Sequence, residues 1–247
     1  MKRFMGYEIM EFESIESTNT FLMDLAKQGC RKKTVVIAKS QTGGRGRRGK
    51  SFYSPMGTGL YMSVLVCKAI PLDELNYLTP AVAVATARAI ERESQRKCGI
   101  KWVNDVFIEG KKAAGILVET KCDFEEKVLE YAVIGIGINL TEPKESFPKE
   151  IKNTATAVFR ECDDVKRQAL TQELLLELNR ILDPFEPKSF MSEYKARSVL
   201  DGREMEVITP NGVMRATAIG IDDSARLIIE THEGRQTLSS GDVSVKV

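Results

Sequence analysis

The chain has 247 residues, 43% of them hydrophobic and 29% charged, with a formal net charge of +1. That size suits one large domain or a large domain with a small companion, and the balance suits a globular core. A near-neutral chain lacks the bulk positive excess of a dedicated nucleic-acid binder. The five cysteines form no Cys-x-x-Cys pair and there is one histidine, which argues against a Cys/His zinc site. They read as reduced thiols, mostly buried, and a cytoplasmic location is expected.

The N-terminal Lys2-Arg3 pair has no apolar segment behind it, and no run of 18 apolar residues exists, so no secretion signal or membrane span is expected. Ser17-Thr18-Asn19 precedes Phe21, Leu22, Leu25 and Ala26 at helical spacing, with Gly29 to end the helix. Ser17 or Asn19 can cap it. "TVVIAKS" reads as a strand that runs into a glycine-arginine loop, and "GLYMSVLVC" as the next strand, reached through the Pro/Gly turn "YSPMGTG". Pro71 opens a helical stretch to about Cys98. "IKW" and "VFIEGKKAAGILVETK" read as short strands with a Glu-Gly-Lys turn, and "YAVIGIGINL" as a buried strand that Gly135 and Gly137 end tightly.

A helix is expected over about 164–183, with Val165, Leu170, Leu174, Leu178 and Ile181 on one face and Pro184 and Pro187 breaking it. From about residue 200 short strands alternate with turns at Pro-Asn-Gly, Asp-Asp-Ser and Glu-Gly-Arg, the texture of a small barrel. His232 falls at one of these turns. The division expected is an α/β domain over 1–197 and a β-barrel over 198–247.

The loop is the chemically distinctive segment. From Arg31 to Lys50 there are eight basic residues and no acidic one, and glycines interleave with them. Gly44 to Ser51 fits the phosphate-loop pattern G-x-x-x-x-G-K-[ST]. That motif must lead into a helix, whereas Pro55, Gly57 and Gly59 forbid one here and a strand follows. A strand-to-strand loop of glycine amides and guanidinium forks that closes on a small anionic or phosphorylated ligand is the reading that survives. The ligand's identity stays open at this level.

Four segments narrow it. "ESTN" at 16–19, "SQTGGRGRRGKSFYSPMGTGLYMS" at 40–63, "KWVNDVFIEGKKAAGILVE" at 101–119 and "GIGIN" at 135–139 together resemble the signature segments of biotin protein ligases. The resemblance implies an α+β fold, with a mixed β-sheet catalytic domain flanked by helices and a small C-terminal SH3-like β-barrel. It implies a two-step reaction: ATP with Mg2+ converts biotin to biotinyl-5′-AMP, and a lysine of a biotin carboxyl carrier domain then takes the acyl group. A related ligase or transferase for lipoate or octanoate is the alternative.

Position by position, the resemblance assigns Ser17, Thr18, Asn19 and Gln41 to the ring head of biotin. Arg45, Gly46 and Arg47 form the part of the loop that closes on biotin and the acyl-phosphate. Lys112 meets the biotin carboxylate, and Gly115 lets the ligand lie against the strand. Lys101, Asn104, Asp105 and Asn139 are assigned to ATP, with Asp105 also placed near the metal and as the acceptor of the incoming lysine's proton. Catalysis is thus assigned to Lys112, Arg47 and Asp105. The chain departs from the pattern at Val103, where relatives carry proline, and at Phe52, which takes the place of a tryptophan. The expected protein is the short kind that does not bind DNA, a monomer or homodimer.

Overall fold

The computed structural model describes residues 2–209, 212–239 and 241–245. In chain order it contains β1 (Lys2–Phe4), β2 (Tyr7–Phe12), α1 (Thr18–Lys27), β3 (Thr34–Ala38), β4 (Gly59–Val66) and α2 (Leu78–Ser94). There follow β5 (Gly99–Lys101), β6 (Asp105–Ile108), β7 (Lys111–Asp123), β8 (Val128–Asn139), α3 (Asp164–Leu182) and α4 (Lys188–Ala196). The last strands are β9 (Glu204–Thr209), β10 (Gly212–Ile221), β11 (Leu227–Thr231), β12 (Gly234–Leu238) and β13 (Asp242–Val245).

Eight strands form one mixed sheet in the order β1-β2-β3-β4-β8-β7-β6-β5. Its one parallel pairing is β2 with β3, and the rest is antiparallel. Because successive side chains of a strand point to opposite faces, each strand serves two layers. Val36, Leu65 and Val133 point to one face, where Leu22 and Ala26 of α1 cover them. Val35, Val64 and Ile134 point to the other, under α2 and α3, in the main core. Moving along the first face, Leu65 is followed by Ser63 and Tyr61, and Val133 by Gly135 and Gly137. The apolar layer therefore gives way to polar and small residues beside the N-terminus of α1.

Several sequence expectations change here. Val165 is 74% exposed, because it lies in the first turn of α3 ahead of the packed face. Pro187 does not keep the chain irregular: it sits at the N-cap of α4, which buries Phe190, Met191 and Tyr194. Gly135 and Gly137 lie within β8. Only Cys98 among the cysteines is buried, and Cys67 is exposed, so the thiols are not mostly interior. Burial pushes the Cys98 thiol up to about 12.

The second sheet has the order β12-β11-β10-β9-β13 and is antiparallel throughout. Of the expected turns, Asp222–Ser224 joins β10 to β11 and His232-Glu233 joins β11 to β12, while Pro210 and Asn211 lie outside the described residues. The segment leading into this unit pairs with β5, through Ile100 N to Arg197 O at 2.7 Å and Val199 N to Ile100 O at 3.1 Å. Trp102 Nε1 donates to Ala225 O at 2.9 Å in a buried contact. Lys195 and Asp223 add an ion pair at 2.5 Å. The small unit is thus seated on the β5 edge, next to the turn that carries Asn104.

Candidate active site

A cavity opens on the α1 face of the large sheet. Ser17, Thr18 and Asn19 line it from the start of α1, and Gln41, Arg45, Gly46, Arg47 and Phe52 from the loop between β3 and β4. Asn104, Asp105, Lys112 and Gly115 come from the β5–β6–β7 ribbon, and Gly135 and Gly137 from β8. Lys101 and Asn139 are not among the lining residues. Lys101 Nζ lies 5.8 Å over the Phe107 ring. Asn139 Nδ2 donates to Thr156 O at 3.2 Å and to Lys112 O at 3.5 Å, supporting the backbone that carries Lys112.

The glycine-arginine segment is folded over this cavity. Gly46 N donates to Lys50 O at 2.6 Å and Phe52 N to Gly44 O at 2.9 Å, with a single turn of 3-10 helix at Arg47–Gly49 between them. Arg48 takes φ 54° at that turn and donates from Nη1 to Ile208 O on β9 at 3.2 Å. Since strands flank the loop on both sides, it is not a helix-capping phosphate loop. The basic run does not form one surface either. Lys32, Lys33 and Lys39 pair with Glu8, Asp183 and Glu13, leaving Arg45, Arg47, Arg48 and Lys50 on the cavity.

The two ends of the cavity differ. At one end are neutral hydrogen-bonding groups. Ser17 Oγ accepts from Thr20 N at 3.3 Å as the helix cap, and Gln41 Oε1 accepts from Thr18 N at 2.9 Å. Asn19 Nδ2 donates to Glu119 Oε2 at 3.0 Å and to Leu117 O at 3.3 Å. Ser63, fully buried, holds both Thr18 and Asn19. Ser63 and Glu119 close two of the segments that carry the resemblance, at 40–63 and 101–119, but nothing in the sequence assigns either of them a role at the site.

At the other end are charges. Lys112 Nζ is 2.8 Å from Asp105 Oδ1. Arg47 Nη1 donates to Asn104 Oδ1 at 3.2 Å, and Asn104 Nδ2 to Ile116 O at 2.9 Å, so β7 holds the asparagine that holds the arginine. Arg45 pairs with Glu119 and donates to Thr20 Oγ1 at 3.1 Å. Between the ends the floor is backbone. Gly115 and Gly137 are register partners across β7 and β8. A Cβ on Gly137 would fall 2.5 Å from the Phe52 ring, and one on Gly115 would fall 3.0 Å from Lys112 Nζ. Only glycine lets an aromatic ring lie this close to the strands.

Asp105 Oδ1 is buried, and apart from the Lys112 charge it has no aligned hydrogen-bond donor. Such an oxygen suits a Mg2+ ion, which takes one or two carboxylates and completes its shell with substrate phosphates and water. Among the described residues no cluster of three acidic, cysteine or histidine side chains offers a closed metal cage. No helix among them is long and apolar enough to cross a membrane.

Residues 11–139 match the biotin/lipoate A/B protein ligase family, and residues 202–246 match the biotin protein ligase C terminal domain. The bifunctional ligase/repressor BirA of Bacillus spizizenii is 34% identical over 247 residues, covering 98% of this chain and 75% of the relative. The biotin--[acetyl-CoA-carboxylase] ligase of Mycobacterium tuberculosis is 30% identical, covering 92% and 85%. The structure of biotin protein ligase from Aquifex aeolicus in complex with biotin and ATP shares the fold, with a TM-score of 0.77 at 24% identity, covering 96% of this chain and 98% of that one. By sequence and by fold, this chain belongs to the biotin/lipoate A/B protein ligase family.

Proposed function

We propose that the protein is a biotin protein ligase, which activates biotin with ATP and transfers it to a lysine of a biotin carboxyl carrier domain. The observation that carries this reading is the polarity of the cavity. Neutral donors and acceptors at Ser17, Thr18 and Gln41 suit a ureido ring, and Lys112 and Arg47 suit a carboxylate, while the Phe52 ring rests on the Gly115–Gly137 floor where the resemblance lays the ligand. Lipoate and octanoate have no polar head to satisfy the first group, so the polar end of the cavity favours biotin.

In the first step the biotin carboxylate oxygen attacks the α-phosphorus of ATP and pyrophosphate leaves. The carboxylate is already ionised, so no general base is needed. Positive charge is needed to bring two anions together and to stabilise the transition state. Lys112 and Arg47 supply it from fixed positions on the hairpin and loop. Asp105, whose Oδ1 is buried without a hydrogen-bond donor, would hold a Mg2+ ion, which would supply further charge neutralisation. Lys101, Asn104 and Asn139 flank the same ribbon and are assigned to ATP. In the second step the neutral amine of the carrier lysine attacks the acyl carbon, AMP leaves, and Asp105 takes the amine proton. The protein acts in the cytoplasm, as monomer or homodimer.

The test is ATP–pyrophosphate exchange on the purified protein with biotin, lipoate or octanoate. Exchange with biotin alone is expected. Exchange with lipoate or octanoate in place of biotin would keep the family and change the substrate.

A further inference from the structure

Tyr194 of α4 is fully buried, at 0% exposed, and its hydroxyl goes to a turn beside the cavity. Tyr194 Oη donates to Val103 O at 3.1 Å. A phenylalanine of the same shape would fill the core as well, so core packing does not account for the polar atom. Burial pushes this phenol above its ordinary value, with the Arg47 guanidinium acting the other way, and it remains a donor. The helix that presents it is itself braced, since Glu193 pairs with Arg88 of α2 at 2.5 Å.

The carbonyl that Tyr194 holds stands one peptide bond from the site. A carbonyl and the amide nitrogen that follows it share one rigid plane, so fixing Val103 O fixes the plane that enters Asn104. Beyond that plane Asn104 is bound twice to β7. Ile116 N donates to Asn104 O at 2.9 Å, and Asn104 Nδ2 donates to Ile116 O at 2.9 Å. This leaves Asn104 Oδ1 for Arg47 Nη1, at 3.2 Å. Three successive turn residues are therefore pinned from three directions: Trp102 by the small sheet, Val103 by α4 and Asn104 by β7.

We infer that Tyr194 is a positioning residue for the adenylation step: through the Val103 carbonyl it sets the peptide plane of Asn104, and through Asn104 it sets the Arg47 guanidinium. Tyr194 does not line the cavity and acts only through these groups. The inference rests on the ligase reading for the reaction that Tyr194 serves.

Pyrophosphate exchange is measured in wild type, Tyr194→Phe, Asn104→Ala and the double variant, well below the denaturation midpoint, with kcat and the KM for biotin and for ATP separated. Tyr194→Phe should lower kcat/KM for ATP by about tenfold, with KM for biotin unchanged. Because Tyr194 acts through Asn104, adding Tyr194→Phe to Asn104→Ala should cost less than about twofold more. Equal losses in the two backgrounds, or wild-type kinetics in Tyr194→Phe, would overturn the inference and leave the biotin reading intact.

Amide hydrogen exchange is a second measurement that does not depend on turnover. Tyr194→Phe should speed exchange of the Ile116 amide, which is bonded to Asn104 O, and leave α4 at the wild-type rate. An unchanged Ile116 rate would overturn the inference. So would faster exchange throughout α4 or loss of the fold, since the phenol would then serve the core alone. Absence of biotin-dependent pyrophosphate exchange by wild type would overturn the ligase reading and with it the step that Tyr194 serves, whereas hydrogen exchange would still decide whether Tyr194 positions the turn.

Discussion

Lys112 and Asp105 face each other across the β6–β7 ribbon, with Nζ 2.8 Å from Oδ1, in an ion pair that lacks hydrogen-bond alignment. Lys112 Nζ is also 5.8 Å over the Phe52 ring. The ammonium is held at the carboxylate end of the cavity without being committed to one partner, which suits a cation that must follow charge as it develops. Lys112→Ala is expected to lower the exchange rate by about 10²–10³-fold, measured as kcat at saturating biotin and ATP. An unchanged kcat would take Lys112 out of the transition state.

Gly135 stands opposite Ser63 in the sheet, and a Cβ added there would fall 2.2 Å from Asn19 Oδ1. Asn19 is 4% exposed and tied at both ends of its amide, so it has little room to give. Gly135→Ala is expected to destabilise the protein by about 1–3 kcal/mol, read as a lowered denaturation midpoint. It should weaken biotin binding as well. A midpoint equal to that of wild type would show that Asn19 can move aside.

Arg197 joins three elements. It pairs with Glu91 of α2 at 2.8 Å and Glu193 of α4 at 2.8 Å, and donates to Cys98 O at 3.0 Å. Burial by itself raises the Glu91 carboxyl, but the Arg197 guanidinium and the Cys98 amide outweigh it and hold the group below its ordinary value. Glu193 is likewise raised by burial and lowered further by Arg88 and Arg197. Carboxyls lowered in the folded state stabilise it fully above their unfolded value and lose that contribution as pH falls through the folded values. The midpoint should therefore drop on acidification below 4.5, the ordinary value of a glutamate carboxyl. In Arg197→Met this part of the acid sensitivity should be smaller, and the protein less stable at neutral pH by about 2 kcal/mol. Parallel pH profiles for the two proteins would refute the assignment.

Trp102 is 4% exposed and gives its one polar hydrogen to Ala225 in the small sheet. Trp102→Phe leaves that carbonyl without its donor, at a cost of about 1–2 kcal/mol. Loosening of the seat should show as faster protease cleavage near residues 197–203 in the variant. Cleavage at the wild-type rate would mean that the remaining contacts hold the unit in place.

The parts of the fold with regular periodicity were legible in the sequence. Leu170, Leu174, Leu178 and Ile181 are all buried, as their spacing requires, whereas Val165 precedes the helix–helix contact and is exposed. The α4 helix was lost because two prolines read as breakers, although one of them can also begin a helix. The β1–β2 ribbon had no turn or periodic signal strong enough to single it out. At the site, the loop and the KWVND and AAGILVE segments announced themselves by composition. What no pattern conveyed was strand register: it is the pairing of Ser63 with Gly135, and of Gly115 with Gly137, that sets a lone serine under the N-terminus of α1 and clears the floor for Phe52.

The bond from Arg48 to Ile208 O has a thermodynamic consequence. It ties the glycine-arginine loop to β9, so a movement of the loop that breaks this bond also releases one hold on the small sheet. Coupling of this kind is reciprocal: whatever occupant draws the loop inward tightens the seat of the C-terminal unit by the same free energy that the seated unit lends to the occupant. Gly241, which precedes β13, lines the cavity as well, so the C-terminal unit meets the site at two points.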